Sequence, residues 1–524
     1  MGPSSASCTH ECESDVTARS SGALLRLAGG CTSRFGAMGR FWQVAAALVV
    51  AVAAHCVFQL APQLHSCSLL PHEQLTLFSK RVVTADGVVA ATVTVRDGRI
   101  VAISPATSPP PGALDYGAAV LSPGLVDVHV HMNEPGRADW EGFATATRAA
   151  AAGGVTTCVD MPLNSFPTTV TADKFARKLA AARGKLHVDV AFWGGLVPHN
   201  AENTTELGAL LDAGVVGLKA FMSPSGIDDF ERTTPAHLAA ALPSLAARGR
   251  MPLMVHAELL PDTVPPVPAG ADVRAYATYM ATRPRQWEEA AIRALVAIAD
   301  GRTPIHIAHL ADADSAALVR NAKAKGFALT VETCPHYLSF AAEEIKDGDT
   351  RFKCAPPIRS AKNRDALWTA LLRGDIDLLS SDHSPAPPAL KLLEEGDFMR
   401  AWGGISSLQL GLSATWSAGR ERGATLEQMA RWWSERPAAL VGLDAKGAIA
   451  VGKDADFVVW DPDAPVVLDD NHPIYHRHRV HPYQNRTLHG RVLATFVRGA
   501  QVFDGATSRH AAACGKTLLR PRHA

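Results

Sequence analysis

Histidines, a lysine and an aspartate recur at the ends of short apolar runs in this sequence. His129 and His131 close the run VDVHVH, and because alternate residues of a strand face the same side, both rings can reach one metal ion. The pair is weak evidence alone, since His476 and His478 repeat the spacing in the C-terminal region. The further candidates each end a similar run: Lys219 in GLKAFM, His256 in MVHAE, His309 in HIAHL and Asp382 in LLSSDH.

Lys219 is the most informative of these residues. It lies in an apolar run with no nearby carboxylate in the sequence, and burying a charged lysine there costs free energy. Burial lowers the pKa of a lysine from about 10.4 and leaves a reactive amine. Such an amine becomes a carbamate when it adds CO₂, and the two carbamate oxygens can bridge two cations.

Each of the other candidates also has an ordinary structural interpretation. His256 or His309 alone is more often a hydrogen-bonded core histidine, and Asp382 alone can cap a helix. His306 lies three residues before His309, and this odd spacing puts the two rings on opposite faces of a strand. We select His309 because it is nearer the strand end.

These residues need a scaffold that brings several strand ends to one edge. Apolar runs alternate with Ala-rich helical stretches, a pattern typical of a parallel sheet covered on both faces. Eight such units over about 260 residues predict an α/β fold of the (β/α)₈ TIM barrel type, with functional residues at the carboxyl ends of the strands. The predicted strands are 125–131, 156–162, 187–196, 215–222, 252–258, 304–310, 328–336 and 376–383.

The segments on both sides of the barrel are rich in β-like runs. RVVTADG and ATVTVRDG carry Asp-Gly turn signals, and KGAIAVGKDADFVVWD and GRVLATFVRGAQVFDG return to the same pattern. We therefore expect residues 73–120 and 440–510 to form a composite β-sandwich beside a barrel over 121–439. Residues 511–524 are expected to form a C-terminal tail.

Residues 1–72 have the character of a targeting leader with an apolar, signal-anchor-like segment at 41–62. Its uninterrupted apolar core, 44–54, is shorter than the about 20 residues that span a bilayer. A signal-anchor or uncleaved signal, a cleaved signal and an organellar transit peptide all remain open. Because Arg34 and Arg40 flank the segment, we expect a protein tethered to the endoplasmic reticulum membrane or in its lumen, with the mitochondrion as the alternative.

The composition excludes several classes of protein. The 51 Lys and Arg balance 51 Asp and Glu, which argues against nucleic acid as a partner. Hydrophobic residues make up 47% and charged residues 19%, so a sizeable core is expected. Nine cysteines are few for this length and form no Cys-x-x-Cys pair, so a reduced folded body is expected rather than a disulfide-stapled one.

Long motifs carry a resemblance to a known family. SPGLVDVHVH, GLKAFM, MVHAE, HIAHL and SSDHSP, in this order, resemble the amidohydrolase superfamily and its cyclic-amidase branch. Within that branch HVHMNEPGRADWEGF, DMPLNSFPTT, GLKAFMSPSGIDDF, VETCPHYLSF, KCAPPIR and WGGISSLQ resemble the allantoinases, and the tail HAAACGKTLL resembles the plant-type ones. Dihydroorotases usually carry Arg where Asn133 stands, and hydantoinases lack the NEPGR–WEGF run. The resemblance covers residues 79–518.

The resemblance implies a mechanism and its cofactors. One ion is expected on His129, His131, Asp382 and carbamylated Lys219 (N6-carboxylysine), and a second on His256, His309 and the same carbamate. A hydroxide bridging both ions would open the hydantoin ring of allantoin to allantoate in purine catabolism, with Asp382 as general base and then acid. Zinc is the first choice, with manganese or cobalt as alternatives, and CO₂ or bicarbonate is needed for the carbamate. Relatives suggest a homotetramer.

Other roles and functions are kept as alternatives. His336 and Glu134 are expected to support the rim of the site. The competing functions are a hydantoinase or dihydropyrimidinase-type cyclic amide hydrolase and a non-catalytic scaffold, although all six ligand positions are filled. Five residues in family motifs are candidate substrate contacts: Asn133, Asn164, Ala355, Gly403 and Gly404.

The C-terminal region contains a second group of histidines. We expect it to be a solvated surface rather than a second metal site, since it matches no motif of the family. Its members are His472, His476, His478 and His481.

Overall fold

The computed structural model describes residues 66–70, 74–264 and 266–521. The apolar segment 41–62 and the rest of the leader up to residue 65 lie outside these residues, so the expectations for them stay predictions. Among the residues described, no helix has the length and apolar character required to cross a bilayer.

The chain begins with five strands that lie beside the barrel. Strands β1 and β2 and strands β2 and β3 pair antiparallel, whereas the short β4 and β5 run parallel to β1. The Asp-Gly signals at 86–87 and 97–98 form the two turns that join β1 to β2 and β2 to β3. The strands are β1 (Gln74–Thr84), β2 (Gly87–Arg96), β3 (Arg99–Pro105), β4 (Leu114–Asp115) and β5 (Val120–Pro123).

The centre of the chain forms a parallel barrel, as predicted. Every paired strand runs parallel to its neighbour, and the strands follow chain order around the barrel. The two ends of the barrel meet where the His131 N–H donates to the His383 carbonyl at 2.8 Å. Counting β8 and β9 as one, eight strands form the barrel: β6 (Leu125–Val130), β7 (Val155–Asp160), β8 (Asp189–Phe192), β9 (Gly194–Gly195), β10 (Leu218–Phe221), β11 (Leu253–His256), β12 (Ile305–Ile307), β13 (Leu329–Thr333) and β14 (Leu378–Leu379).

Helices connect the barrel strands. Helix α2 begins at a Thr171 cap and α10 at a Ser360 cap, whose side chains accept the backbone N–H of the third helical residue. The predicted strand 328–336 is shorter than expected, because Pro335 begins helix α9. The helices are α1 (Phe143–Ala152), α2 (Ala172–Ala182), α3 (Pro198–Glu202), α4 (Thr204–Asp212), α5 (Pro235–Ala246), α6 (Tyr276–Ala281), α7 (Gln286–Ile298), α8 (Ala316–Ala324), α9 (Pro335–Ser339), α10 (Ala361–Arg373), α11 (Gly411–Arg420), α12 (Leu426–Ala430) and α13 (Arg436–Leu440).

The C-terminal strands join the N-terminal ones in a single sheet. Strand β15 pairs antiparallel with β5, so nine strands from both flanks form one continuous sheet. Leu77, Val93, Phe457 and Phe496 pack in one apolar cluster on this sheet, and the Ala455 N–H donates to the Gly98 carbonyl. The flanks therefore share one folded module, built from a single nine-stranded sheet. Its last strands are β15 (Phe457–Val467), β16 (Thr487–Val497), β17 (Ala500–Asp504) and β18 (Arg509–His510).

A disulfide bond joins the two ends of the described chain, and the expectation of a reduced body was wrong here. Cys67 and Cys514 are 447 residues apart in the sequence, but their Cα atoms lie 5.4 Å apart. The C-terminal tail reaches Cys67 because it docks on the barrel, where the Gly515 N–H donates to the Leu186 carbonyl at 2.7 Å. Sequence spacing could not reveal a pair that only the docking of both termini brings together.

Candidate metal centre

A cavity of about 490 Å³ opens at the carboxyl ends of the barrel strands. Its volume falls in the range of small-molecule sites, and the position is where barrel enzymes carry their active sites. The barrel brings together the strand-end residues selected from the sequence, since five of them form part of the cavity wall: His129, His131, His256, His309 and Asp382.

His129 and His131 lie at the end of β6 with their Nε2 atoms towards Asp382. The Asp382 Oδ1 atom is 3.2 Å from His129 Nε2 and 3.6 Å from His131 Nε2. The other ring nitrogen of His129 donates to the Glu332 carboxylate at 2.6 Å, and that of His131 lies 3.2 Å from the Leu163 carbonyl oxygen. These partners at Nδ1 leave Nε2 of both rings free to bind a metal ion.

His256 and His309 form the neighbouring part of the wall, with ring centroids 4.5 Å apart. His256 Nε2 donates to Glu258 at 2.6 Å, so its Nδ1 atom is the nitrogen left for a metal. His309 has a φ of 37°, a left-handed conformation that few non-glycine residues adopt. Its backbone N–H donates to Glu332 at 3.3 Å, and the same carboxylate therefore supports His129 and His309.

Lys219 on β10 is fully buried beside these histidines. Its Nζ atom lies 3.5 Å from His129 Nε2 and 5.2 Å from the centroid of the Phe221 ring. Burial lowers the pKa of Lys219 to about 8, against the opposing effects of Glu332 and Asp382. The amine is therefore neutral more often than an exposed lysine would be, as its carbamylation requires.

Asp382 follows β14 and also has a left-handed backbone, with a φ of 44°. The Asp127 carboxylate accepts the backbone N–H of the preceding Ser381 at 3.1 Å, which fixes this segment against β6. Burial alone would raise the pKa of Asp382, but the facing His129 and His131 hold it at about 2. Asp382 is therefore an anionic ligand at neutral pH.

The donor set fits a divalent cation. Ligand atoms of His129, His309 and Asp382 all lie within 4.8 Å of one another, and these side chains are buried. Burial lowers the pKa of His129 to about 4, so the ring is neutral at pH 7 and its lone pair is available. Neutral imidazoles with a carboxylate are the ligands of zinc and of other first-row divalent ions.

Four of the five candidate substrate contacts lie at the cavity wall: Asn164, Ala355, Gly403 and Gly404. Gly404 passes so close to Ser384 that a Cβ atom would lie 2.1 Å from the Ser384 carbonyl oxygen. Asn133 is not part of the wall, and its contact with the substrate stays a prediction. Its φ of 62° turns the fully buried side chain towards Pro385, whose carbonyl accepts from Asn133 Nδ2 at 3.3 Å.

The two predicted supporting residues differ in position. His336 is fully buried near Asp382, and its ring nitrogens lack hydrogen-bond partners among the described residues. Glu134 is buried and lies away from the ligands, where it accepts the Phe143 N–H at 3.0 Å and pairs with Lys185. His306 is not part of the cavity wall, because its Nδ1 atom lies 2.8 Å from Thr330 Oγ1 and its Nε2 atom lies 3.2 Å from Glu332 Oε2. Strand parity does not separate the two histidines, since β12 ends at Ile307 and His309 follows it with a φ of 37°.

Sequence reasoning missed several residues of the site. Glu258 stands in the quoted motif MVHAE, two residues after His256, and Glu332 stands in VETCPHYL on the strand next to β12. Only the folded barrel shows that both carboxylates contact ligand histidines. The cavity wall also contains larger side chains that were not among the candidates, although Lys353 and Trp402 stand in the quoted motifs KCAPPIR and WGGISSLQ. They are Tyr279, Arg283, Trp287, Lys353 and Trp402.

The sequence predicted that the C-terminal histidines form a solvated surface, and this prediction was wrong for His476 and His481. His476 and His481 are buried, and the His476 ring packs against His383 with centroids 4.7 Å apart. His476 Nε2 accepts the Gln409 N–H at 3.1 Å, and the partly exposed His478 lies 2.7 Å from the Asp139 carbonyl oxygen. The loop between β15 and β16 thus packs its rings onto the barrel. Among the residues described, no cluster of three or more candidate metal ligands includes them.

Nitrogen and oxygen ligands gathered at the carboxyl end of a parallel barrel are the arrangement of the metal-dependent barrel hydrolases. Residues 120–502 match the amidohydrolase family. The chain is 50% identical to an allantoinase of Arabidopsis thaliana over 91% of this chain and 98% of that protein. It is 45% identical to a mitochondrial allantoinase of Aquarana catesbeiana, covering 70% of this chain and 75% of that one.

Solved structures agree with this assignment. The L-hydantoinase (dihydropyrimidinase) of Arthrobacter aurescens superposes with a TM-score of 0.76 at 29% identity, over 85% of this chain and 99% of that chain. The chain therefore belongs to the amidohydrolase family, and within it to the cyclic amidohydrolases of the allantoinase group.

Proposed function

We propose that the protein hydrolyses the hydantoin ring of allantoin, with water, to give allantoate and a proton. The observation that carries the proposal is the convergence of four histidines, Asp382 and a buried lysine at one cavity of about 490 Å³. The extended identity to allantoinases supports the choice of allantoin as substrate.

Two divalent ions are the cofactors that these residues would hold. His129, His131 and Asp382 would hold one ion, and His256 and His309 the other. When bound, such a pair polarises a carbonyl group and supplies hydroxide as a nucleophile at neutral pH. Zinc is the first choice because the donor set is imidazole and carboxylate, with manganese or cobalt as alternatives.

Lys219 would supply the ligand shared by the two ions. Its neutral amine adds CO₂, one N–C bond forms, and a proton is released to give the carbamate N6-carboxylysine. The lowered pKa and complete burial of Lys219 support this step. The carbamate replaces a cation by an anion beside His129, so it would offset the charge of the ions.

Asp382 would move the proton of the reaction. Its carboxylate is the basic group facing His129 and His131, and it would accept a proton during attack on the ring carbonyl. The same proton then passes to the departing ring nitrogen. Because neutral histidines and deprotonated oxygens hold the ions, activity would fall in acid.

The test uses residues 66–524, which keep the Cys67–Cys514 bond, expressed with bicarbonate and zinc or manganese. Loss of allantoin and appearance of allantoate are followed beside hydantoin, dihydrouracil and dihydroorotate. Wild-type protein is expected to open allantoin selectively and to contain two metal ions per chain. In Lys219→Ala, metal content and ring opening are expected to fall, the latter by at least about a thousandfold. Added acetate or propionate should restore part of the activity, because a carboxylate can stand in for the carbamate.

Each other outcome favours a different function. A metal-loaded protein that opens hydantoin or dihydrouracil but not allantoin would be a hydantoinase or dihydropyrimidinase, the activity named for the structural relative. A folded protein without metal and without activity on any ring would be a scaffold homologue.

The disulfide bears on localisation. Disulfides persist in oxidising compartments, and the Cys67–Cys514 bond joins the last residues of the expected leader, 1–72, to the C-terminal tail. This supports a protein facing the endoplasmic reticulum lumen, tethered or free, rather than one in the mitochondrial matrix. Cell fractionation with alkaline washing, followed by thiol labelling before and after reduction, would test it. Co-purification with mitochondria and a free thiol at Cys67 would contradict it.

The assembly proposed for the chain is a homotetramer. Light scattering on the eluting peak of a size-exclusion column gives the mass directly, and a monomer or dimer at micromolar concentration would contradict the proposal.

A further inference from the structure

One irregular segment, Met399–Gly404, forms part of the cavity wall and contains Trp402, Gly403 and Gly404. It has no helix or strand of its own. Its position must therefore come from side chains that bind its backbone.

Two buried lysines provide those contacts. Lys391 Nζ donates to the carbonyls of Trp402 at 3.0 Å and Gly404 at 2.9 Å. Lys353 Nζ donates to the carbonyls of Ala401 at 2.6 Å and Met399 at 3.1 Å. Within residues 74–264 and 266–521, every hydrogen-bond acceptor of the two ammonium groups is a backbone carbonyl oxygen.

The two lysines differ in one respect. An ammonium group has three N–H donors. Lys391 uses all three, since it also donates to the Lys353 carbonyl at 3.4 Å, and it is not part of the cavity wall. Lys353 uses two, and it is part of the wall. One N–H of Lys353 is therefore left for a ligand in the cavity.

The surroundings of Lys353 favour a strong hydrogen bond to a neutral or anionic oxygen. Its side chain is 8% exposed, its Nζ atom lies 5.0 Å from the centroid of the Tyr279 ring, and Cε lies 3.9 Å from a Cβ placed on Gly403. Hydrogen bonds from a charged donor in such a desolvated position are stronger than those between neutral groups. Burial lowers the pKa of Lys353 to about 8, so the charged form still predominates at neutral pH.

We propose that Lys353 is a substrate-binding residue whose remaining N–H donates to a carbonyl oxygen of the bound ureide. The inference rests on the proposed ring-opening function. It adds to that function a specific contact between the substrate and a cavity-wall residue that is not a metal ligand. A ring carbonyl and the carbonyl of the ureido side chain offer the same acceptor chemistry. Lys391 is the matched lysine that binds the same segment without reaching the substrate.

The experiment compares Lys353→Met with Lys391→Met in the full metal-loaded enzyme. In Lys353→Met the kcat/KM for allantoin is expected to fall about 10- to 100-fold, mostly through KM, the range for a lost hydrogen bond to a charged group. Lys391→Met is expected to lower the thermal midpoint and to raise KM less than Lys353→Met does, because it loosens the segment without removing a bond to the substrate. Unsubstituted hydantoin is run in parallel. An equal loss on hydantoin places the bond at a ring carbonyl, and a smaller loss places it at the ureido carbonyl.

Equal increases of KM in the two variants would overturn the proposal, because Lys353 would then act only by holding the segment. An unchanged KM in Lys353→Met would also overturn it. A wild type that opens no ring overturns the proposed function itself, which is judged from the wild type alone.

A second measurement applies if either variant does not fold. Native enzyme is trace-labelled with acetic anhydride, and acetylation at each lysine is measured by mass spectrometry with and without excess allantoin. Protection of Lys353 with no change at Lys391 supports the contact. Labelling of Lys353 that is the same with and without allantoin overturns it.

Discussion

Two histidine pairs with the same spacing, His129/His131 and His476/His478, have different fates in this protein. The first pair ends a barrel strand, and both rings face Asp382. The second lies in the loop between β15 and β16, where His476 is buried against His383 and His478 is partly exposed. The spacing brings two rings together only on a strand, because alternate side chains converge there and in a loop they do not.

The two groups also differ in what surrounds them. Two rings of the metal centre, those of His129 and His256, keep one nitrogen for a metal ion, because Glu332 and Glu258 bind the other nitrogen. In the loop, His476 uses Nε2 to accept a backbone N–H, and His481 has no hydrogen-bond partner for its ring among the described residues. A carboxylate that binds one ring nitrogen therefore supports the assignment of His129 and His256 as metal ligands.

The largest expected effect separates the two groups directly. His129→Asn removes a nitrogen ligand, so metal content should fall and ring opening should drop at least about a thousandfold. His476→Asn is the matched variant and should retain its metal and its turnover within about threefold. Metal analysis and initial rates measure both. Loss of metal from His476→Asn would mean that the loop histidines belong to the centre.

A second, smaller effect concerns the carboxylates. Glu332→Gln keeps the shape but weakens the hold on His129 Nδ1 and on the backbone N–H of His309, so metal affinity should fall about 10- to 100-fold. The control is Glu141→Gln, since Glu141 lies 3.2 Å from His383 Nε2 and accepts the Arg477 N–H beside the loop group. Chelator competition gives both affinities, and equal losses would contradict the distinction.

The residues that sequence reasoning found share a simple geometry. His129, His256, His309 and Asp382 sit at strand ends, and the rule that a parallel barrel carries function at that edge places them together without knowledge of any loop. His309 was preferred to His306 because it is nearer the strand end. These predictions depend on the period of a strand and on chain order, which are properties of the sequence.

The residues that it missed depend on contacts between distant segments. Glu332 supports His129 only because the closed barrel brings β13 near β6. Lys353 and Lys391 both bind an irregular segment, and neither a helix nor a strand periodicity predicts such contacts. Cys67 and Cys514 pair because both termini dock on one body.

The third prediction tests whether the loop histidines act in stability. His476→Asn removes the acceptor of the Gln409 N–H and the ring that packs on His383, so the free energy of unfolding should fall by about 1–3 kcal/mol. His478→Asn, at a partly exposed position in the same loop, should change it by less than about 0.5 kcal/mol. Urea unfolding of the metal-loaded proteins measures the difference, and equal values would show that burial of His476 contributes nothing.

The smallest effect is a change in the pH dependence of stability at His481. Burial, with the charges of Arg479 and Arg351, lowers the pKa of His481 to about 4, whereas an unfolded histidine titrates near 6.5. Between these values the unfolded chain binds a proton that the native protein does not, so the free energy of unfolding falls as the pH drops from about 6.5 towards 4.

His481→Phe keeps an aromatic ring beside Tyr483 and removes that proton. Between pH 6 and 5 the free energy of unfolding should therefore depend on pH less steeply, by up to about 1.4 kcal/mol per pH unit for one proton. The measurement is urea unfolding at several pH values in protein stripped of metal. Removing the metal changes His129 and His309 alike in wild type and variant, so the difference between the two proteins reports on the loop. The difference between wild type and variant should persist when metal is added back. If it appears only in the loaded protein, the loop histidines are coupled to the metal centre and the two groups are not independent.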